Sequence, residues 1–173
     1  MRLVLLVLAV VLAILAGDLP LYAQDISLEY RVKAAYLFNF ARFVEWPAEA
    51  VSGPLTLCVA GRDVFGPVLA DTVKDESIGG RPLVTRVILE PEPDCNVVFV
   101  PRGAAASAYL RAASGRPVLT IGETPDFQRM GGIVTFVVQD GNVRFEINRT
   151  AAERAKLRIS SRLLRLARDT GGA

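Results

Sequence analysis

The stretch Leu55-Thr56-Leu57-Cys58-Val59-Ala60-Gly61-Arg62-Asp63-Val64-Phe65-Gly66-Pro67-Val68-Leu69-Ala70-Asp71-Thr72-Val73-Lys74 decides the fold. Leu55 to Ala60 is a short apolar run closed by Gly61, the pattern of a strand buried on both faces. Val64 to Lys74 then predicts a helix, with Pro67 near its start, where a missing N–H is tolerated. A doubly buried strand that leads directly into a helix is the repeating unit of a sheet covered on both sides.

The elements downstream extend this alternation. Pro82–Leu89 and Asn96–Val100 predict strands, and the alanine-rich Arg102–Ser114 predicts a helix ended by Gly115. Pro117–Ile121 returns to strand, and Asp126–Met130 predicts one short helical turn before Gly131-Gly132. Ile133–Val138 and Val143–Asn148 predict strands joined through Asp140-Gly141, a strong hairpin signal. Thr150–Lys156 predicts a helix, and after Leu157–Ile159 either Ser160 or Ser161 caps a last helix over Arg162–Arg168. The expected fold is therefore one α/β layered domain, with a mostly parallel sheet, an antiparallel C-terminal hairpin and helices on both faces.

Upstream, residues 1–23 have the form of a secretory signal peptide: Arg2, an apolar run from Leu3 to Ala16, and Leu21-Tyr22-Ala23 as the cleavage point. The mature domain would begin near Gln24 and occupy residues 24–173. The alternative is an uncleaved anchor, but Gly17-Asp18 and Pro20 interrupt the run short of the ~20 apolar residues a spanning helix needs. Export fits the two cysteines, Cys58 and Cys95, because an even count in an oxidising compartment favours a bridge over two buried thiols.

Composition excludes several classes. Lys and Arg number 20 against 18 Asp and Glu, and they are scattered, so there is no nucleic-acid footprint. The basic stretch Arg149–Arg168 reads as a solvated helix face, with an anionic membrane surface as the alternative. Histidine is absent, which removes the Ser-His-Asp and Cys-His arrangements and leaves no basis for zinc. Gly61 to Gly66 lies where backbone amides cradle phosphate in other proteins, but it lacks the P-loop Lys-Ser/Thr and reads as a tight turn. No catalytic residue, metal or cofactor is expected.

Two regions stand out as candidate contact surfaces. Ser27–Trp46 predicts a helix stopped by Pro47, with Val32, Tyr36, Phe40 and Phe43 on one face. Tyr30, Phe38 and Trp46 cannot share that face, so the helix is expected to be buried on two sides, by its own core and either by a partner or second copy or by the domain wrapping it completely. In the last strand, Val143, Phe145 and Ile147 alternate with Arg144, Glu146 and Asn148, which makes Glu146 either a partner contact or a solvated carboxylate.

The run Glu29-Tyr30-Arg31-Val32-Lys33-Ala34-Ala35-Tyr36-Leu37-Phe38-Asn39-Phe40-Ala41-Arg42-Phe43-Val44-Glu45-Trp46-Pro47 closely resembles the opening motif of the YfiR-like periplasmic proteins. Leu57-Cys58-Val59, Gly79-Gly80-Arg81-Pro82, Pro117-Val118-Leu119-Thr120, Val143–Asn148 and Ile159–Leu164 resemble its later motifs, in order. The resemblance implies a bacterial periplasmic repressor that binds the periplasmic part of an inner-membrane diguanylate cyclase. It would lower cyclic-di-GMP and biofilm formation, without catalysis, and release under envelope or redox stress.

It also implies a homodimer, a structural disulfide between Cys58 and Cys95, and a cyclase contact near Glu146. Tyr36, Phe40, Phe43 and Trp46 are the remaining interface candidates. Some members carry a second cysteine pair near the closing strands, whereas Val134 to Asn148 has none. A different class of function remains open: a periplasmic sensor that captures a small ligand at the carboxyl ends of its parallel strands and signals to a histidine kinase or transporter. A hydrolase using carboxylates alone ranks last.

Overall fold

The computed structural model describes residues 27–50 and 52–168; the expected signal peptide lies outside them. The first helix, α1 (Leu28–Phe43), is capped by Ser27, whose hydroxyl accepts from the Tyr30 N–H. It ends earlier than the aromatic pattern predicts. Val44–Glu45 turns into a short strand, β1, antiparallel to β9 (Arg158–Ile159), with Val44 opposite Ile159. Pro47 reinforces this ending, because it disfavours helical geometry at Trp46. The 3-10 turn Ala48–Ala50 follows.

The main sheet has seven strands: β2 (Leu55–Ala60), β3 (Ser77–Ile78), β4 (Arg81–Ile88), β5 (Val97–Val100), β6 (Leu119–Gly122), β7 (Val134–Gln139) and β8 (Asn142–Ile147). Their spatial order is β3-β4-β2-β5-β6-β7-β8. β4, β2, β5, β6 and β7 run parallel, and an antiparallel strand closes each edge. The hairpin β7–β8 turns through Asp140 and Gly141, both at positive φ (51° and 72°), as the Asp-Gly signal predicts.

Helix α2 (Pro67–Val73) carries the chain from β2 to β4, and α3 (Ala106–Ala113) from β5 to β6. α4 (Arg149–Arg154) and α5 (Ser161–Leu166) follow β8 and start at side-chain caps from Asn148 and Ser160. One sheet face packs Leu55, Leu57, Val59, Val97, Phe99, Leu119 and Ile121 against α1, α2 and α4. The other packs Cys58, Ala60, Val98 and Val100 against Tyr109 and Leu110 of α3. Alternate residues of each strand thus enter separate cores, which is why these strands read as continuous apolar runs.

No helix carries the chain from β4 back to β5. The segment 89–96 crosses β2 directly, and a disulfide between Cys58 and Cys95, with Cα atoms 5.8 Å apart, ties it to the sheet. Asn96 fixes the exit of this segment, because its side-chain oxygen accepts from the Thr56 N–H at 2.9 Å.

Between β6 and β7, Asp126–Met130 forms turns instead of the expected helical turn. Phe127 explains the difference. Its ring is fully buried and wedged between Gly122 and Gly132, where an added Cβ would lie 2.3 Å and 2.2 Å from the ring. Gly122→Ala should therefore destabilise by about 1–3 kcal/mol through overpacking. Urea denaturation checks this: the midpoint falls while the slope holds.

Candidate functional site

In this strand order the direction of winding reverses between β2 and β5, and ligands of open α/β sheets bind outside the carboxyl ends at such a point. Those ends are Gly61–Asp63 after β2, Pro101–Arg102 after β5 and Glu123 directly after β6. The opening turns of α1 lie over them.

Glu123 is almost wholly buried, and its two oxygens have separate partners. Oε1 accepts from the Tyr30 hydroxyl at 3.0 Å and from the Arg102 backbone N–H at 2.8 Å. Oε2 is ion-paired with the ammonium of Lys33, itself 1% exposed, which also reaches Glu29 one turn back on α1. That ammonium stands 4.7 Å from the centre of the Tyr30 ring and 5.7 Å from that of Phe136. Tyr30 packs edge-on to Phe65, the buried residue of the turn after β2, at 5.5 Å.

Burial raises the Glu123 pKa, but bonds from Lys33, the Arg102 N–H and Tyr30 outweigh it, so the carboxyl lies below its ordinary range. Tyr30 is pushed up to about 12, first by desolvation and then by the Glu123 charge. The carboxylate is thus ionised and fully engaged, and the phenol keeps its proton. Neither suits proton transfer near neutrality. The cluster clamps α1 across the sheet end and occupies the place a ligand would take.

The glycine-flanked turn Gly61–Gly66 likewise offers no phosphate cradle. Asp63 Oδ1 accepts from the N–H groups of Phe65 and Gly66, both at 2.9 Å, so the turn's own carboxylate holds those donors. Among the described residues no group of three or more His, Cys, Asp or Glu could hold a metal. No described helix is long and apolar enough to cross a membrane.

The interface candidates separate into two places. Tyr36 and Phe40 stack at 5.7 Å and cover Phe136 and Phe145, with Phe40 wholly enclosed and Tyr36 half-buried. Phe43 is half-buried beneath the Arg162 guanidinium of α5, 5.3 Å from its ring centre. Trp46 is also half-buried, and its buried indole nitrogen has no hydrogen-bond partner among the described residues.

Glu146 projects from the other face of the edge strand β8, opposite Thr135, with an Arg168 nitrogen 4.0 Å away. The disulfide cysteines lie on that same second face, farther along the sheet.

Sequence reasoning passed over Lys33 and Glu123. The signal for them was a lysine at position 33 in the stripe 33-37-40-44, where it needs a buried counter-charge, and a carboxylate at the carboxyl end of a buried strand.

No curated protein matches the chain. Among solved structures, a conserved domain protein of Vibrio cholerae O1 biovar El Tor superposes over 80% of this chain with a TM-score of 0.53 and 12% identity, a likeness of fold alone. The match spans 60% of that chain's length. The YfiR/HmsC-like family model matches residues 30–168, from the tyrosine that binds Glu123 to the arginine beside Glu146. The chain thus belongs to the YfiR/HmsC-like family of periplasmic regulatory proteins.

Proposed function

We propose that this protein, exported by a signal peptide spanning residues 1–23 and cleaved near Ala23, binds the periplasmic part of an inner-membrane diguanylate cyclase and holds it inactive. The observation that carries this reading is the family match over residues 30–168, which takes in both candidate contact regions. No catalytic step is assigned to the chain. Repression follows from differential binding: the cyclase shifts toward its inactive state by as much as the repressor prefers that state.

The candidate surfaces are the half-buried aromatics Tyr36 and Phe43 of α1 with Trp46 just beyond it, and Glu146 on the edge strand. Aromatic residues are enriched at such contacts, and one of the two regions serves a second copy of the chain in a homodimer. Glu146→Lys reverses a charge on a side chain already 29% exposed. It should weaken binding to the purified periplasmic cyclase domain by about tenfold or more while leaving the melting temperature within a few degrees. Unchanged affinity in titration calorimetry would move the contact away from β8, and no binding by the intact protein would sink the cyclase reading.

A further inference from the structure

The carboxyl end of the sheet is closed by Tyr30, Lys33 and Glu123, but the amino end is open. There a cleft of about 370 Å³ lies between the C-terminal end of α3, the starts of β6 and β7, and α4. This is within the usual range of small-molecule sites. Leu110, Val118, Ile133, Ala151 and Ala155 form the apolar part of its walls.

The polar side chains that line the cleft are Ser114, Thr120 and Arg154. Among the described residues Arg154 is the only charged one that lines it, and its guanidinium has no partner there. Thr120 Oγ accepts from the Ile133 N–H at 3.1 Å, which leaves its own proton to donate. At the end of α3 the Arg111, Ala112 and Ala113 carbonyls take bonds from the Ser114 N–H, the Arg116 guanidinium and the Arg116 N–H. A cleft with an apolar wall and one unpaired cation at its edge is complementary to an apolar molecule with an anionic end.

We propose that this cleft binds a small amphiphile, its apolar body against the alanine-lined wall and its carboxylate on Arg154. The site is open in the free protein, so binding requires no protein partner. It stands at the opposite end of the sheet from the usual ligand position in open α/β folds.

The test is titration calorimetry of the purified protein with octanoate, octylamine and octanol, all below their aggregation concentrations. Octanoate should bind saturably and at least about tenfold more tightly than either of the others. Arg154→Ala should lose about tenfold or more for octanoate, and Arg154→Glu should reverse the preference in favour of octylamine. Arg154 is exposed, so both variants should melt like the parent without ligand. Equal affinity for the three probes, an unchanged Arg154→Ala, or no saturable octanoate binding would each overturn the proposal.

Discussion

Lys33→Met is expected to destabilise the domain by about 3–5 kcal/mol, because it strands the buried Glu123 carboxylate without its cation. Glu123→Gln should cost less, since the amide oxygen still accepts from Tyr30 and Arg102 while Lys33 keeps Glu29. The double variant Lys33→Met/Glu123→Gln should recover part of the Lys33→Met loss, as interacting neighbours do in a double-mutant cycle. Urea denaturation followed by the fluorescence of Trp46, the sole tryptophan, reads all three.

The pH dependence should change sign between parent and variant. In the parent the folded Glu123 pKa is lowered. Its contribution is therefore present above the ordinary carboxylate range and lost as the pH falls through the lowered folded value. In Lys33→Met, burial acts without the ammonium and raises the folded pKa above the unfolded one, so stability should fall as the pH rises through the carboxylate range. A Lys33→Met variant within 1 kcal/mol of the parent, with the same pH slope, would show that the cluster does not hold α1 to the sheet.

Removing both cysteines, Cys58→Ala/Cys95→Ala, should cost about 4 kcal/mol on the chain-entropy estimate for a closed loop of this size, the two positions being 37 residues apart. The bond matters here beyond its entropy. Segment 89–96 crosses the sheet without a helix, and Cys95 packs into the smaller core with Cys58, Ile88 and Tyr109. Loss of the bond should loosen that crossing, and reducing agent should act on the parent as the substitution does. The repression proposed above should weaken in proportion to folded protein, with affinity per folded molecule unchanged. Equal stability of the oxidised parent and the double variant would remove the disulfide from the fold's support.

The legible parts of the fold were those with one dominant cause. The strands β2, β5 and β6 are buried on both faces and read as apolar runs, and Asp140-Gly141 fixes a hairpin through its turn chemistry. The first helix was legible as a helix but not in its facing. Its buried side is Lys33, Ala34, Leu37, Phe40 and Ala41, whereas Val32 lies at the solvent edge with 36% exposure.

A lysine within the apolar stripe and aromatics outside it disguised that face. Its partner Glu123 is 90 residues away, a distance no local period reports. The two-residue strands β1, β3 and β9 likewise exist only through their pairing. The turn at Phe127 depends on a slot between two glycines that close only in the folded sheet. Of the candidate surface, the residue types were visible in the sequence, but their division between two sheet faces required the register of β7 with β8.

The most direct test of the proposed repression is cellular cyclic-di-GMP in the source bacterium, measured with the gene deleted and then restored as the parent and as Glu146→Lys, in cells that express the proposed cyclase partner. A rise on deletion, reversed by the parent and less fully by Glu146→Lys at equal periplasmic abundance, is the expected result. A cyclic-di-GMP level that deletion leaves unchanged would contradict it.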